Sequence, residues 1–240
     1  MSNMADWVQA AGSLFGVKLS EEQQEQFRVY EALLTDWNSR INLTAVRDAE
    51  GIRIKHFLDS LSCVTVLGDM NGRFLIDIGT GAGFPGIPLR IFYPEMRLTL
   101  VDSVGKKADF CQLAADTLHL KGVKVLKDRS EELGANKDYR EKFDAATARA
   151  VAGLPVLCEY LLPLVKVGGI MLAQKGESAP EEVNAAANAI RKLGGADAEL
   201  TEVTLPEIEG KRYLVKIPKV RPTPAGYPRR TGLPLKKPIL

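Results

Sequence analysis

The chain has 240 residues, 45% of them apolar and 26% charged, with a net charge of +2, which predicts a globular protein with one sizeable core. No stretch approaches the roughly 20 uncharged apolar residues that a membrane-spanning helix needs, and the first nine residues lack the basic and apolar regions of a signal peptide. Three widely spaced cysteines match neither a disulfide framework nor a zinc site, so we expect a cytoplasmic protein without a resident metal.

Residues 1–70 are predicted to form a helical N-terminal extension. Ser20 is a candidate N-cap for a helix over residues 20–40, in which apolar and aromatic residues recur at helical spacing. We interpret these aromatic residues as core packing rather than as a platform for stacking bases. A second helix is predicted over residues 52–66, and its His56 is either a substrate contact or a structural residue.

From residue 71 onward, short apolar strands alternate with helices, which predicts a mostly parallel sheet with helices on both faces. The predicted strands cover residues 74–78, 97–101, 123–126, 143–147, 170–173, 199–205 and 213–217. The predicted helices cover residues 85–92, 106–120, 154–165 and 180–193. The last two strands are expected to form an antiparallel hairpin at the edge of the sheet. Together these elements predict a Rossmann-like α/β domain over residues 71–218.

Four glycines follow the first predicted strand in "LIDIGTGAGFPGIP", at the edge of the sheet where such folds bind ligands. Counted from Gly81, the loop fits G-x-G-x-x-G, and Asp102 lies 21 residues further on, as a ribose-binding acid of an NAD-dependent oxidoreductase would. Counted from Gly79, the loop reads G-x-G-x-G directly after the strand. The predicted end of the strand at residue 78 favours the second reading.

Asp77, near the end of the same strand, also bears on the choice of ligand. A carboxylate there would repel a pyrophosphate but not a zwitterion that carries an amine and a sulfonium, and this favours S-adenosylmethionine. The alternative is that Asp77 only accepts hydrogen bonds from nearby loop amides. Asp102 can accept both ribose hydroxyls of either cofactor and does not choose between them.

Polar residues at the ends of the next two strands complete the predicted crevice. Ser130 and Glu131 follow the third strand, where an adenine ring would lie, and Arg149 follows the fourth. Arg149 either faces the crevice or forms a buried ion pair. The segment "TARAVAGLP" contains neither the Asn/Asp-Pro-Pro-aromatic string of adenine amino methyltransferases nor a cysteine nucleophile beside a proline. We therefore predict a site without a dedicated base or nucleophile.

The C-terminal region concentrates positive charge. Residues 211–240 hold nine Lys/Arg, no Asp/Glu and six of the 13 prolines, whereas the rest of the chain holds 23 basic against 30 acidic residues. A basic, proline-rich tail over residues 219–240 either binds an anionic partner such as nucleic acid or is a solvated, partly ordered C-terminus.

Several strings together resemble one family: "NLTAVRD", "KHFLDSL", "LIDIGTGAGFPGIPLRI", "LVDSVGKKADF", "ATARAVAGLPVL" and "GYPRRTGLPLKKP". The chain resembles the bacterial 16S ribosomal RNA guanine-N7 methyltransferases, the RsmG family, over almost its whole length. The resemblance implies a Rossmann-like methyltransferase fold and S-adenosylmethionine contacts at Gly79, Phe84, Asp102, Ser130, Glu131 and Arg149. It also suggests RNA contacts at Lys106, Lys107, Arg229, Arg230, Lys236 and Lys237. Lys106 and Lys107 either contact RNA phosphates or the catalytic site or belong to a solvated helix start.

The implied reaction is methyl transfer to N7 of a guanine in the 530 loop, with 16S rRNA or the small ribosomal subunit as the partner of a monomeric enzyme. Guanine N7 has a lone pair and no proton, which agrees with a site that has no base. Removal of the tail from Lys219 onward is expected to weaken RNA binding and to spare the cofactor. An NAD-dependent oxidoreductase and a non-catalytic RNA-binding ribosome-assembly protein remain the alternatives.

Overall fold

The computed structural model describes residues 3–240, in which seven strands form one sheet of order β3-β2-β1-β4-β5-β7-β6. The strands are β1 Phe74–Ile78, β2 Arg97–Val101, β3 Val123–Leu126, β4 Phe143–Arg149, β5 Val165–Lys175, β6 Glu199–Val203 and β7 Arg212–Pro218. Strands β1 to β5 pair in parallel, whereas β7 runs antiparallel to both β5 and β6. The predicted parallel sheet with a closing antiparallel hairpin is confirmed.

Helices cover both faces of this sheet. They are α1 Met4–Phe15, α2 Glu21–Asn38, α3 Ala49–Ile52, α4 Asp59–Leu61, α5 Val64–Leu67, α6 Gly86–Phe92, α7 Gly105–Thr117, α8 Ser130–Ala135, α9 Leu154–Leu161, α10 Ala179–Lys192 and α11 Leu233–Lys236. Neighbouring residues of a strand enter different cores: Leu75 of β1 belongs to the core that includes residues of α1, α2, α6 and α7, and Ile76 belongs to the core that includes residues of α9 and α10.

The N-terminal helices share a core with the sheet. The rings of Trp7, Phe27 and Phe57 pack together in the same apolar cluster as Leu75, and all four side chains are fully buried. Helix α2 begins after Ser20, whose side chain accepts from the amide of Gln23 in a capping box, so the predicted N-cap is confirmed. Its aromatic residues are core residues, as interpreted.

Some predicted boundaries are wrong, and the causes are local. The helix predicted over residues 52–66 is interrupted by a π-helical segment, Arg53–Leu58, that separates α3 from α4. Helix α9 ends at Leu161 and not at residue 165, because Pro163 cannot continue the backbone hydrogen-bond ladder. The short helices α8 and α11 were not predicted.

The C-terminal tail is part of the folded body rather than a solvated extension. Lys219 is 1% exposed, and its Nζ donates to the carbonyl of Leu162 at 2.6 Å. The Arg140 guanidinium donates to the tail carbonyls of Thr223 and Tyr227 at 2.7 and 2.6 Å. Within residues 3–240, no helix has the length and apolar character required to cross a membrane.

Candidate functional site

A cleft of about 200 Å³ opens at the carboxyl ends of β1, β2 and β3, beside the point where the strand order reverses between β1 and β4. Its lining residues are Ile78, Gly79, Val101, Asp102, Ser103, Asp128, Arg129, Ser130, Glu131, Val151, Ala152, Tyr160 and Leu235. The structure thus brings together four predicted cofactor residues: Gly79, Asp102, Ser130 and Glu131. Open α/β sheets bind their ligands at such a position.

Gly79 begins the turn at the floor of the cleft. Strand β1 ends at Ile78, as predicted, and Gly79 has φ +66°. A Cβ atom at Gly79 would lie 2.5 Å from Cγ2 of Val151, so a side chain would collide with the loop that follows β4. Glycine is therefore required here by both backbone conformation and space.

The glycine loop uses its amides internally instead of presenting them to a phosphate. The Gly81 amide donates to Asp102 Oδ2 at 2.9 Å, and the Gly86 amide donates to Asp77 Oδ2 at 2.9 Å. At the start of α6, Ile87 donates to the carbonyl of Gly83, and the following proline has no N–H. A dinucleotide pyrophosphate needs free donors at this helix N-terminus, so the arrangement argues against the NAD reading of the loop.

Asp77 acts inside the loop and does not line the cleft. Its Oδ2 also accepts from the Thr80 hydroxyl at 2.6 Å, and no group of the described residues hydrogen-bonds its Oδ1. Complete burial raises the pKa of Asp77 to about 7. The predicted electrostatic selection between pyrophosphate and sulfonium by Asp77 is therefore not supported. The structure agrees with the alternative, in which Asp77 organises loop amides.

Asp102 presents a fixed carboxylate at the cleft. It lies directly after β2 and is 6% exposed, and its two oxygens accept from the amides of Gly81 and Val104 at 2.9 and 2.8 Å. These bonds fix the carboxylate and use about half of its accepting capacity. The remaining lone pairs are available to vicinal hydroxyls in the cleft.

Ser130 and Glu131 line the cleft, but their side chains bind other parts of the protein. The Ser130 hydroxyl donates to the carbonyl of Tyr160 at 2.6 Å, and Glu131 Oε1 accepts from the Gly232 amide at 2.9 Å. Asp128, which sequence reasoning missed, also lines the cleft. Asp102 directly follows β2 and Asp128 is the second residue after β3. A carboxylate close to the carboxyl end of a neighbouring strand is the signal that could have identified Asp128.

Arg149 and Phe84 lie outside the cleft lining, in a cluster with the N-terminal helices. Arg149 Nη1 contacts Asp59 Oδ2 at 2.7 Å, and its guanidinium carbon lies 5.0 Å from the centroid of the Phe84 ring. Asp59 is 3% exposed. The ion-pair reading of Arg149 is therefore the one the structure shows, with Asp59 as the partner that the sequence left unidentified.

His56 completes this cluster as a structural residue. Its ring stacks on Phe84 with centroids 4.6 Å apart, and its Nε2 lies 2.6 Å from the Thr44 hydroxyl. Its Nδ1 lies 3.0 Å from the carbonyl oxygen of Lys55, which can only accept, and 3.3 Å from a guanidinium nitrogen of Arg149, which can only donate. Burial and the charge of Arg149 lower the pKa of His56 to about 3.

The described residues around the cleft offer no activated nucleophile. Cys63, Cys111 and Cys158 are buried, and desolvation raises the pKa of each thiol. Over residues 3–240, no three His, Cys, Asp or Glu side chains are arranged to hold a metal ion.

The predicted RNA contacts divide into two groups. Lys106 and Lys107 begin α7 beside the cleft, with Lys106 exposed and Lys107 half-buried, and Arg230, Lys236 and Lys237 are exposed in the tail. Arg229 differs from them, because its guanidinium and backbone amide bind the buried carboxylate of Glu159 at 2.6 to 3.1 Å. Arg229 therefore has a structural role in the tail, and its phosphate contact stays a prediction.

A comparison with protein families matches residues 23–210 to the family described as rRNA small subunit methyltransferase G. Relatives named Ribosomal RNA small subunit methyltransferase G include one from Roseiflexus sp., 50% identical over 225 residues, or 94% of this chain and 95% of the relative. The relative from Acetivibrio thermocellus is 47% identical over 225 residues, which cover 94% of this chain and 92% of the relative. The one from Desulforamulus reducens is 42% identical over the full length of both chains.

Solved structures of similar fold are methyltransferases of low sequence identity. A SAM-dependent O-methyltransferase from Thermotoga maritima superposes with a TM-score of 0.56 at 15% identity, covering 80% of this chain and 72% of that one. A SAM-dependent methyltransferase from Aquifex aeolicus gives 0.55 at 17% identity, covering 72% and 94%. These likenesses identify the fold as that of Rossmann-like SAM-dependent methyltransferases.

Proposed function

The chain belongs to the rRNA small subunit methyltransferase G family, and we propose that it methylates N7 of a guanine in the 530 loop of 16S rRNA with S-adenosylmethionine as the methyl donor. The observation that carries this proposal is the cleft at the strand reversal, where Asp102 and the side-chain-free Gly79 meet. Family membership makes the enzyme a methyltransferase of the small subunit rRNA; the target atom, the loop and the cofactor contacts are our proposal. The NAD-dependent and non-catalytic alternatives have no support in this site or among the relatives.

The residues of the cleft fit an adenosyl cofactor. Asp102 would accept the ribose hydroxyls, the Asp128 carboxylate and the backbone at Ser130 would contact the polar edge of adenine, and Gly79 would admit the ligand close to the backbone. The buried cluster of Arg149 and Phe84 would support the floor of the site beneath the amino-acid part. S-adenosylmethionine supplies an electrophilic methyl group on its sulfonium.

The protein would contribute to the reaction by holding guanine N7 in line with the methyl group of the cofactor. Guanine N7 carries a lone pair and no proton, so its attack needs no general base, which agrees with three buried cysteines and a partly buried His56 whose pKa is lowered to about 3. Holding two reactants in line can supply on the order of 7–11 kcal/mol. The target guanine must be unpaired or flipped out of its stack to reach the cleft.

We propose that lysines and an arginine near the cleft, all exposed except the half-buried Lys107, hold the RNA backbone. They are Lys106, Lys107, Arg230, Lys236 and Lys237. Arg229 is expected to contribute less than these residues, because its guanidinium already pairs with Glu159. On this proposal the enzyme is a cytoplasmic monomer with a helical extension over residues 1–70, a catalytic domain over 71–218 and a basic tail over 219–240.

The function is tested by incubating the protein with labelled S-adenosylmethionine and 16S rRNA from a strain that lacks the modification. Naked rRNA and the assembled small subunit are assayed separately, and the methylated base is mapped. We expect a single N7-methylguanine in the 530 loop with at least one of these substrates. Methylation at another position, or none with either substrate, contradicts the proposal.

The Asp102→Ala variant links that activity to the cleft. Loss of charge-assisted hydrogen bonds worth about 1.5–3 kcal/mol each should weaken S-adenosylhomocysteine binding at least about tenfold, measured by calorimetry. Asp109→Ala, which removes an exposed carboxylate from α7, is the matched control and should bind like the wild type. Equal affinity of the two variants for S-adenosylhomocysteine would show that Asp102 does not contribute to cofactor binding.

A further inference from the structure

The last turn of the tail lies against the cleft. Residues 228–237, here called the C-terminal flap, cross the first turn of α8, where the Gly232 amide donates to Glu131 Oε1 at 2.9 Å and the Thr231 hydroxyl donates to Glu132. Glu131 itself lines the cleft. One carboxylate therefore borders the ligand space and holds the flap.

A buried ion pair anchors the start of the flap. Glu159 of α9 is fully buried, and both of its oxygens accept from Arg229, including the backbone amide at 2.7 Å and Nη2 at 2.6 Å. Bidentate, charge-assisted bonds of this kind give a fixed geometry. The flap is therefore placed by the fold and does not depend on RNA for its position.

The flap adds an apolar side chain to the wall of the cleft. Leu235 is 63% exposed and lines the cleft, while the preceding Pro234 is buried beneath it. When a flat apolar surface of a ligand covers an exposed leucine at the mouth of a cleft, apolar area is removed from water, and this favours ligand binding. The adenine ring is the part of an adenosyl cofactor that has such a surface.

This inference rests on the proposed function. We infer that the C-terminal flap forms one wall of the adenosine half of the cleft, with Leu235 packed on the adenine ring. Glu131 then couples cofactor binding to the order of the flap, because it contacts both. On this inference, removal of the tail weakens cofactor binding as well as RNA binding, which differs from the expectation drawn from the sequence. The same segment carries Lys236 and Lys237, so the cofactor would also help to fix two residues proposed to hold RNA.

The test is the Leu235→Ala variant, titrated with S-adenosylhomocysteine and separately with adenosine. Loss of apolar contact should weaken the binding of both ligands by a similar factor, about tenfold, because both carry the adenine ring. Leu240→Ala, which truncates another exposed leucine of the tail that does not line the cleft, should stay within about twofold of the wild type.

Hydrogen exchange of the full-length wild type gives a second measurement that does not depend on a variant. S-adenosylhomocysteine should slow amide exchange in the C-terminal flap, whereas the β6–β7 loop, residues 204–211, should be unaffected. Equal affinity of the Leu235→Ala and Leu240→Ala variants, or flap exchange that the ligand leaves unchanged, overturns the inference. If the wild type binds no adenosyl ligand, the proposed function fails as well.

Discussion

At the scale of single residues, Arg149 shows how the end of one strand is tied to a distant part of the chain. Its guanidinium bonds Asp59, approaches His56 and lies over the ring of Phe84, and it is 14% exposed. Asp59 and Arg149 are 90 residues apart. Sequence reasoning identified both possible roles of Arg149, but no local pattern could name its partner.

The neutral His56 makes stability depend on pH. Its folded-state pKa, about 3, lies below the value of about 6.5 in an unfolded chain, so the unfolded state binds more protons between these pH values. The stabilisation is fully present above about pH 6.5 and is lost as pH falls towards 3, by on the order of 4 kcal/mol. His56→Asn should lack this dependence.

Urea unfolding followed by tryptophan fluorescence between about pH 7.5 and 4 measures the effect. His119→Asn is the control, because His119 is exposed with φ +52°, a conformation that asparagine accepts. Wild type and His119→Asn should lose stability in parallel, while His56→Asn loses less. Parallel curves for all three proteins would show that His56 is protonated in the folded state.

At the scale of elements, local sequence patterns located the central strands and missed what tertiary contacts create. The bounds of β1, β2 and β3 agree with prediction, because each is a short apolar run beside turn residues. Helices α8 and α11 have six and four residues, too short for an apolar period to be visible. Contacts such as Arg229 with Glu159 join residues 70 positions apart, and no spacing rule predicts them.

The candidate site shows the same division between local and distant contacts. Gly79, Asp102, Ser130 and Glu131 could be found because each follows a strand whose carboxyl end was predictable. Val151, Tyr160 and Leu235 also line the cleft, but they arrive from a loop, a helix and the tail. Their positions depend on how those segments pack, which the sequence does not display.

Two glycines of the loop, Gly79 and Gly81, allow a matched test of how much the collision of an added side chain costs in stability. Gly79 and Gly81 both have positive φ, but an added Cβ meets Val151 at 2.5 Å only at Gly79 and has nothing within 4 Å at Gly81. Alanine in this conformation costs roughly 1–2 kcal/mol, and the collision should add about 1–3 kcal/mol at Gly79. Gly79→Ala should therefore unfold at lower urea than Gly81→Ala.

A second substitution assigns that difference to its cause. Combining Gly79→Ala with Val151→Ala removes the colliding methyl groups, so the double variant should recover stability relative to Gly79→Ala. If both single glycine variants lose equal stability, backbone conformation alone explains the need for glycine at residue 79.

At the scale of the whole molecule, less of the positive charge of the C-terminal region is free to bind RNA than the composition indicates. Within the described chain, five of the nine basic residues over 211–240 form ion pairs with acidic residues of the body. They are Lys211, Arg212, Lys216, Lys219 and Arg229. Arg230, Lys236 and Lys237 are exposed, so RNA affinity should depend on position and not on the total basic charge.

Salt dependence of RNA binding tests this difference. Each lost phosphate contact lowers the slope of log affinity against log salt by about 0.7–0.9. Lys236→Ala with Lys237→Ala should therefore reduce the slope for a 530-loop RNA, whereas Lys211→Ala with Lys216→Ala should leave it close to the wild-type value. Filter binding across salt concentrations measures both, and an equal reduction in the two double variants would contradict the assignment.

The reversed direction of β7 has a consequence for how this protein can vary. Since β7 enters the sheet from the edge where β5 ends, the hairpin loop over residues 204–211 lies at the same edge as the cleft. A hairpin tip can gain or lose residues without shifting the register of its strands. Insertions there could reshape the surface that meets the substrate while the sheet and the cofactor cleft keep their geometry, which makes this loop a suitable place to graft a new recognition segment.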